Sequence, residues 1–282
     1  MPLYDNLIVG SNGYIGSRLS HDLRLENNLL ISSRKELFEF IGNGNPTNFK
    51  RVLWVAGSHL PADSFTFQID RHPDYVSLRR FLESTESHMY RLIYISSGGC
   101  VYGPGSGTFS EESGTSPVNF YGEVKLLSEQ LIQDNMIDYT ILRVSNVFGV
   151  GQKPNRSQGV IAHWIDAIRR NRPLIVYGST SAYRDYINIE SLLEAILLSM
   201  RSSLSGVFNI GSNTPIDLVT LISLFESVVE KQLLIDYLPP RDSDRQGYIL
   251  NTNKAENLLG WRKPENIAMH IELVAKNEFK LF

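Results

Sequence analysis

The chain has 282 residues, with 27 Lys+Arg against 30 Asp+Glu, a formal net charge of −3 and 42% hydrophobic residues. That is enough to bury a full core, as one large α/β domain or as a core with a lobe, and the charge gives no reason to expect a nucleic-acid or membrane-surface partner. Cys100 is the single cysteine, which excludes an internal disulfide and suits a reducing, cytoplasmic setting; the opening MPLYDNLIVG lacks the marks of a signal peptide, no run approaches the ~18 apolar residues of a spanning helix, and a zinc cluster is not expected.

In chain order, short apolar runs alternate with amphipathic stretches. Residues 7–9 read as a first strand, 15–25 as a helix, 29–32 as a second strand and 51–56 (RVLWVA) as a third. A helix over 74–86, a strand over 92–96, a helix over 120–135 and a strand over 138–144 follow. This alternation predicts an α/β fold with a parallel sheet covered by helices on both faces. The strand runs are apolar without strict alternation, as in strands buried on both sides.

After Gly149 the texture changes. Residues 149–159 (GVGQKPNRSQG) form a polar loop. Helices are expected over 159–171 and 190–200, with short strands at 174–177 and 207–210. A helix over 215–230 is expected to open on Thr214 as its N-cap. Residues 238–247 (LPPRDSDRQG) read as a loop, and 253–259 as a short helix stopped by Gly260. No repeat or low-complexity stretch is present, and the second half reads as a small lobe packed on the first.

Three groups of residues carry chemistry. Gly10, Gly13 and Gly16 of GSNGYIG lie between a strand and a helix. Glycines there allow a tight turn and close approach of backbone N–H groups to a pyrophosphate, which the helix N-terminus also favours. A glycine-rich turn without a ligand is the plainer alternative. The second strand then ends Ser32-Ser33-Arg34-Lys35, with no acid until Glu36. An acid at that strand end bonds the ribose 2′-OH of NAD, whereas a guanidinium suits a 2′-phosphate. NADP(H) is therefore favoured and NAD(H) is the alternative, unless the segment is a solvated basic turn.

Tyr121 and Lys125 stand four apart at the start of a predicted helix, so they share one face. An ammonium beside a phenol favours the phenolate and makes it a usable acid/base. Tyrosine and lysine at this spacing also occur on many helices with no such role. Ser96 and Ser97 stand where the 92–96 strand gives way to a Ser-Gly turn, at the sheet edge where α/β folds bind ligands.

Taken together, GxxGxxG, SSxxxVYG and YxxxK in this order resemble the extended short-chain dehydrogenase/reductase family, which includes nucleotide-sugar epimerases, 4,6-dehydratases and 4-ketoreductases. The likeness continues nearly end to end. LRVSNVFG (142–149), YRDYINI (183–189), FNIG (208–211) and NTNKAENLLGW (251–261) each resemble a segment of that family.

The resemblance implies a Rossmann-type doubly wound parallel sheet with a smaller C-terminal substrate-binding lobe. Residues 1–150 would be the NAD(P)-binding domain. Residues 151–282 would be mostly lobe, with about 180–200 returning to the core. Tyr121 would exchange the proton at the sugar carbonyl, and Lys125 would bond the nicotinamide ribose and depress the Tyr121 pKa. Ser97 is the candidate catalytic hydroxyl. Gly10, Asn12, Gly13, Tyr14, Ile15 and Gly16 would line the cofactor, with Ser33, Arg34, Ala56, Gly57, Ser96, Tyr121 and Lys125. Asn146, Tyr177, Arg184 and Arg241 would contact the nucleotide sugar, the two arginines at its diphosphate. Alternatives are a core position for Tyr177 and an ion pair with Asp185 for Arg184.

The chain departs from the family pattern in several places. The family's catalytic Ser or Thr aligns with Gly98, and a dehydratase's Asp-Glu pair with Gly99 and Cys100. The acid after the second strand is absent. Only sixteen residues separate Arg34 from Arg51, where relatives fit a further strand and helix of the adenine pocket. Glu190 replaces a usual Asp. The expected function is NADPH-dependent reduction of a nucleotide-activated 4-keto sugar. The alternative is a C4 epimerase that holds NAD; a 4,6-dehydratase or a non-enzymatic NADP sensor fits less well. The resemblance also implies a cytoplasmic homodimer in surface-polysaccharide or deoxysugar synthesis.

Overall fold

The computed structural model describes residues 4–22, 27–44, 49–58, 68–86, 88–117, 119–154, 159–240 and 246–279. From the N-terminus run β1 (Asn6–Val9), α1 (Tyr14–Ser20), β2 (Asn28–Ile31), α2 (Arg34–Gly42), β3 (Arg51–Trp54), α3 (Pro73–Ser84) and β4 (Arg91–Ser97). Next come α4 (Gly98–Val101), β5 (Thr108–Phe109), α5 (Phe120–Asn135), β6 (Tyr139–Val144) and β7 (Asn146–Phe148). Then follow α6 (Val160–Arg169), β8 (Leu174–Tyr177), β9 (Tyr183–Asn188), α7 (Ile189–Arg201) and β10 (Gly206–Ile210). The chain closes with β11 (Pro215–Asp217), α8 (Leu218–Val229), β12 (Ile235–Leu238), β13 (Ile249–Leu250) and α9 (Ile267–Phe279).

Six strands form one parallel sheet in the order β10-β6-β4-β3-β1-β2. Successive side chains of a strand point to opposite faces. Leu7, Val9, Val52, Trp54, Leu92, Tyr94 and Ile141 pack in one core with Leu37 of α2, Leu78 and Phe81 of α3 and Ile132 of α5. Ile8, Leu53, Ile93, Ile95, Leu142 and Val144 face the opposite core, with Leu19 of α1 and Leu192, Leu193 and Ile196 of α7. Both faces being covered explains why these runs are apolar throughout. The chain leaves β1 outward to β2 and returns past it to β3. That reversal opens a crevice at the carboxyl ends of β1 and β3, where open α/β sheets bind ligands.

A separate core holds the C-terminal elements. Phe148 of β7 and Trp164 and Ile168 of α6 pack with Tyr186, Leu221, Phe225, Ile267 and Ile271. Asp185 of β9 ties this region to the sheet side. Its buried carboxylate accepts from Ser212 N (2.7 Å), Ser212 Oγ (3.0 Å), Leu250 N (3.0 Å) and Asn213 N (3.3 Å). Burial pushes its carboxyl up to about 6, against the pull of those donors.

The helix expected over 215–230 is corrected at its start. Pro215–Asp217 is β11, antiparallel to β9, and the helix begins at Leu218. Asp217, not Thr214, is the N-cap and accepts from Thr220 N at 2.7 Å. An available strand edge outweighs the local preference for one more helical turn. The helix expected over 15–25 closes at Ser20, and residues 23–26 lie outside the described residues. Alpha2 fills the short span between Arg34 and Arg51, so β2 is the outermost strand of the sheet on that side.

Candidate active site

The glycine loop sits in the crevice. Gly10 takes φ +96°, a conformation that side-chain-bearing residues rarely adopt, and a Cβ there would stand 2.6 Å from Ala56 N at the end of β3. A Cβ on Gly16 would overlap the Gly10 carbonyl. Gly10 N and Ser11 N both donate to Ile31 O, at 2.8 and 3.1 Å, which ties the loop to the tip of β2. Gly13 is the N-cap of α1 and brings no side-chain cap, so no side chain caps the first amides of the helix. Asn12, Gly13 and Gly57 are exposed around this cradle, with Ala56 half-buried. These residues fit a dinucleotide pyrophosphate, which needs close backbone approach and open N–H groups. Gly16→Ala is expected to cost about 1–3 kcal/mol of overpacking at the loop. That corresponds to roughly 5–150-fold in cofactor affinity, read by fluorescence titration, with near-UV dichroism confirming the fold.

Two loop residues have side chains with partners outside the loop. The Tyr14 ring leans away from the loop, its hydroxyl donating to Val150 O at 3.3 Å, and burial pushes the phenol up to about 12. Ile15 packs against the α1–α7 core.

The end of β2 holds a surprise for the 2′-position. Ser33 is the N-cap of α2 and accepts from Glu36 N at 3.2 Å. Glu36 in turn reaches back, accepting from Ser32 N and Ser32 Oγ at 2.8 Å each. This reciprocal cap places a carboxylate at the very strand end that the sequence seemed to leave without one. Those donors hold the Glu36 carboxyl below its usual range. Arg34 turns the other way. Its Nη2 donates to Ser58 Oγ (3.2 Å) and Asp74 Oδ1 (3.3 Å), and its Nε to Ser77 Oγ (3.1 Å).

Tyr121 and Lys125 lie on one face of α5, opposite the ends of β3 and β4. Asn119 caps the helix, its side chain accepting from Gly122 N at 2.8 Å. The Ser97 side chain is the group that favours the Tyr121 phenolate. Lys125 is buried, donates to Ile95 O at 2.8 Å, and stands 4.9 Å from the Tyr94 ring centroid and 5.7 Å from that of Tyr121. Burial lowers the Lys125 ammonium to about 8, opposed by the charges of Asp74, Glu129 and Cys100. The expected lowering of the Tyr121 pKa is corrected. Burial, then Cys100 and Asp74, drive the phenol well above its ordinary value, with only Ser97 opposing. Desolvation of the ring outweighs an ammonium that is itself bonded to a carbonyl.

Ser96 is buried and its hydroxyl donates to Glu129. Glu129 extends the Tyr121–Lys125 row by one more turn and is paired with Arg143 of β6 (Nη2–Oε2 2.7 Å). The stacking of Arg143 over the Tyr102 ring, 4.9 Å from its centroid, completes that buried cluster.

The expected substrate residues come from the C-terminal strands. Asn146 opens β7 and donates to Asp185 O at 3.1 Å. Arg184 lies on β9, with its Nη1 donating to Tyr183 O at 2.8 Å, while the Asp185 carboxylate is taken by amide and hydroxyl donors. Tyr177 ends β8, half-buried and paired with Leu238 of β12. Arg241 lies outside the described residues.

The model of the NAD dependent epimerase/dehydratase family matches residues 6–211. The chain belongs to that family. A dTDP-4-dehydro-6-deoxyglucose reductase of Escherichia coli is 33% identical over 236 residues, covering 81% of this chain and 73% of the relative. A putative UDP-glucose 4-epimerase of Methanocaldococcus jannaschii is 31% identical over 288 residues, covering 92% and 93%. In fold, the chain superposes on the UDP-glucose 4-epimerase of Thermotoga maritima, solved with UDP-glucose, with TM-score 0.85 at 23% identity, covering 99% of this chain and 100% of that one.

Membership gives the departures their meaning. At Gly98 a Cβ would stand 2.6 Å from Leu250 Cδ1, and at Gly99 it would stand 2.6 Å from the Tyr248 hydroxyl. The space of the family's usual side chains is thus filled from beside β13, and Ser97 is the hydroxyl that reaches Tyr121. Sequence reasoning missed Glu129 and Asp74. Glu129 was readable as the third member of a 121–125–129 helical row. Asp74 was readable as an acid in the first turn of a helix opened by His72-Pro73, but its closeness to Lys125 comes only from the fold.

Proposed function

We propose that the protein reduces a nucleotide-activated 4-keto sugar with NADPH, Tyr121 giving its proton to the sugar oxygen as hydride reaches C4. The observation that carries this is the Tyr121 phenol beside the Lys125 ammonium on one face of α5, at the mouth of a glycine cradle. Bound in that cradle, the nicotinamide dinucleotide supplies the hydride. Gly10, Gly13 and Gly16 hold the pyrophosphate. Lys125 reaches the nicotinamide ribose and stabilises the phenolate left after proton transfer, and Ser97 orients the carbonyl. Asn146, Tyr177 and Arg184, with Arg241, hold the sugar nucleotide. Residues 1–150 then serve the cofactor and 151–282 mostly the substrate. The same reading makes the protein a cytoplasmic homodimer joined through α3 and α5, in surface-polysaccharide or deoxysugar synthesis.

Arg34 supports NADPH, because its partly exposed guanidinium stands beyond β2 and can pair with a 2′-phosphate. The Escherichia coli reductase among the relatives favours the same reaction. The second reading is a C4 epimerase with tightly held NAD. It is favoured by the Glu36 carboxylate at the end of β2, which can accept from a 2′-OH, and by the epimerase relatives. An elimination of the 4,6-dehydratase type is disfavoured by Gly99 and Cys100, which bring no carboxylate into α4.

The test is to release bound nucleotide from the purified protein with acid, identify it, and titrate the emptied protein with NADPH and NADH. The reductase reading expects an empty protein, NADPH binding at least about tenfold tighter than NADH, and loss of 340 nm absorbance on adding nucleotide-linked 4-keto sugars. Stoichiometric NAD(H) coming off the protein overturns it in favour of the epimerase.

A further inference from the structure

The glycine loop carries an Asn-Gly pair, Asn12-Gly13; the other such pair in the sequence is Asn43-Gly44. Asparagine is thermally labile, most of all before glycine, where no side chain shields the following backbone nitrogen from the carboxamide carbon. The loop leaves this chemistry open. Asn12 and Gly13 are both exposed, and the Asn12 carboxamide has no hydrogen-bond partner among the described residues. Where a Cβ of Gly13 would stand, the nearest atom is Gly10 O at 3.4 Å, so nothing else crowds the Gly13 nitrogen. One bond restrains that nitrogen, its donation to Gly10 O at 3.1 Å.

We propose that Asn12-Gly13 is a self-deamidation site that ages the cofactor cradle, and that bound dinucleotide protects it.

The Gly13 nitrogen gives its proton to water and attacks Asn12 Cγ. A new C–N bond forms, the carboxamide C–N bond breaks, and ammonia leaves with a proton regained from water. Water then opens the cyclic imide at one of its two carbonyls, leaving an aspartate or an isoaspartate at position 12. No oxidant or other reactant is needed. Either product places a carboxylate in a loop that has to receive a pyrophosphate, and like charges at such range repel. Isoaspartate also adds a carbon to the main chain, which the loop has no room for. A Cβ on Gly16 would already stand 2.1 Å from Gly10 O, and Ser17 N closes on Gly13 O at 2.8 Å. A pyrophosphate seated on these amides holds the Gly13–Gly10 bond shut and excludes water. Asn43-Gly44 is the internal reference. It is exposed at the end of α2 away from the β2 tip, with Gly44 N donating to Ile41 O at 3.3 Å. The inference rests on the dinucleotide reading of the loop and is independent of which reaction follows.

The test incubates emptied protein in mildly alkaline buffer alone, with NADPH and with NADH. The tryptic fragments 1–18 and 36–50 are followed by mass spectrometry, with fragmentation to place the change at Asn12 or Asn43. Asn12 is expected to convert in the nucleotide-free protein and about tenfold more slowly at a dinucleotide concentration about ten times its Kd, because only the free form reacts. Asn43 converts equally in every sample. Converted protein, separated by anion exchange, binds dinucleotide about tenfold more weakly than fresh protein, the scale of one added charge. Asn12→Ser keeps through the incubation whatever affinity it starts with. An Asn12 that stays intact overturns the site. Equal rates with and without a dinucleotide that binds overturn the protection, and unchanged affinity in converted protein overturns the ageing of the cradle. Fresh protein that binds neither nucleotide removes the dinucleotide reading itself, while conversion of Asn12 in the same sample still decides the modification.

Discussion

Tyr121→Phe lowers kcat about 10³-fold and leaves cofactor affinity within about twofold, because a positioned general acid contributes roughly 10²–10⁴-fold. The phenylalanine keeps the ring against Lys125 and removes only the hydroxyl. Stopped-flow measurement at a single wavelength for the reduced cofactor separates the two quantities. A variant that keeps full turnover would show that the proton comes from elsewhere and revive a non-catalytic role for the pair. The pH profile follows from the same geometry. Burial drives Tyr121 upward, so the phenol remains a donor across the working range. Burial drives Lys125 down to about 8, so the ammonium is complete below that pH and lost as pH rises through it. The free enzyme's kcat/KM is therefore expected to fall on the alkaline side of about pH 8.

Glu129→Ala is expected to destabilise the protein by about 3–5 kcal/mol, the cost of leaving a buried charge without its partner. Glu129 and Arg143 are 1% and 7% exposed at their side chains. Arg143 Nε also donates to Glu129 Oε2 at 3.1 Å, and Ser96 donates to the same carboxylate. Removing the acid strands the guanidinium between β6 and the Tyr102 ring. Urea denaturation followed by fluorescence measures the loss. Replacing both partners, as Glu129→Leu with Arg143→Met, is expected to recover most of it, because apolar packing replaces the pair without an orphaned charge. Equal losses in the single and double variants would show that the pair is held by shape alone.

The strand and helix pattern of the sheet half was legible because each element declares its own period. Apart from Arg51 and Ser96 at their ends, RVLWVA and LIYIS are apolar throughout, as in strands covered on both faces. The 120–135 helix was readable to its ends because Asn119 caps it and its polar and apolar residues keep one period. The lobe was less legible. Beta7, β11 and β13 are short, and each is a strand only because a neighbour offers an edge. Pro215–Asp217 shows this: the residues look like a helix start and pair with β9 instead.

The site divides in the same way. Local spacing alone gave the glycine loop, the Tyr121–Lys125 row and the strand-end serines, since contacts within one turn depend on neighbours in sequence. The sequence by itself therefore determined the family, the parallel sheet and the candidate residues of the site. The tertiary structure decided how those residues are charged and partnered. It brought Glu36 back to the end of β2, sent Arg34 to Asp74, turned Ser96 inward and left Ser97 with Tyr121. It also filled the space at Gly98 and Gly99 with Leu250 and Tyr248, about 150 residues away along the chain. The physical reason is that burial and through-space charge set a side chain's protonation and contacts, and both depend on which distant segments fold against it.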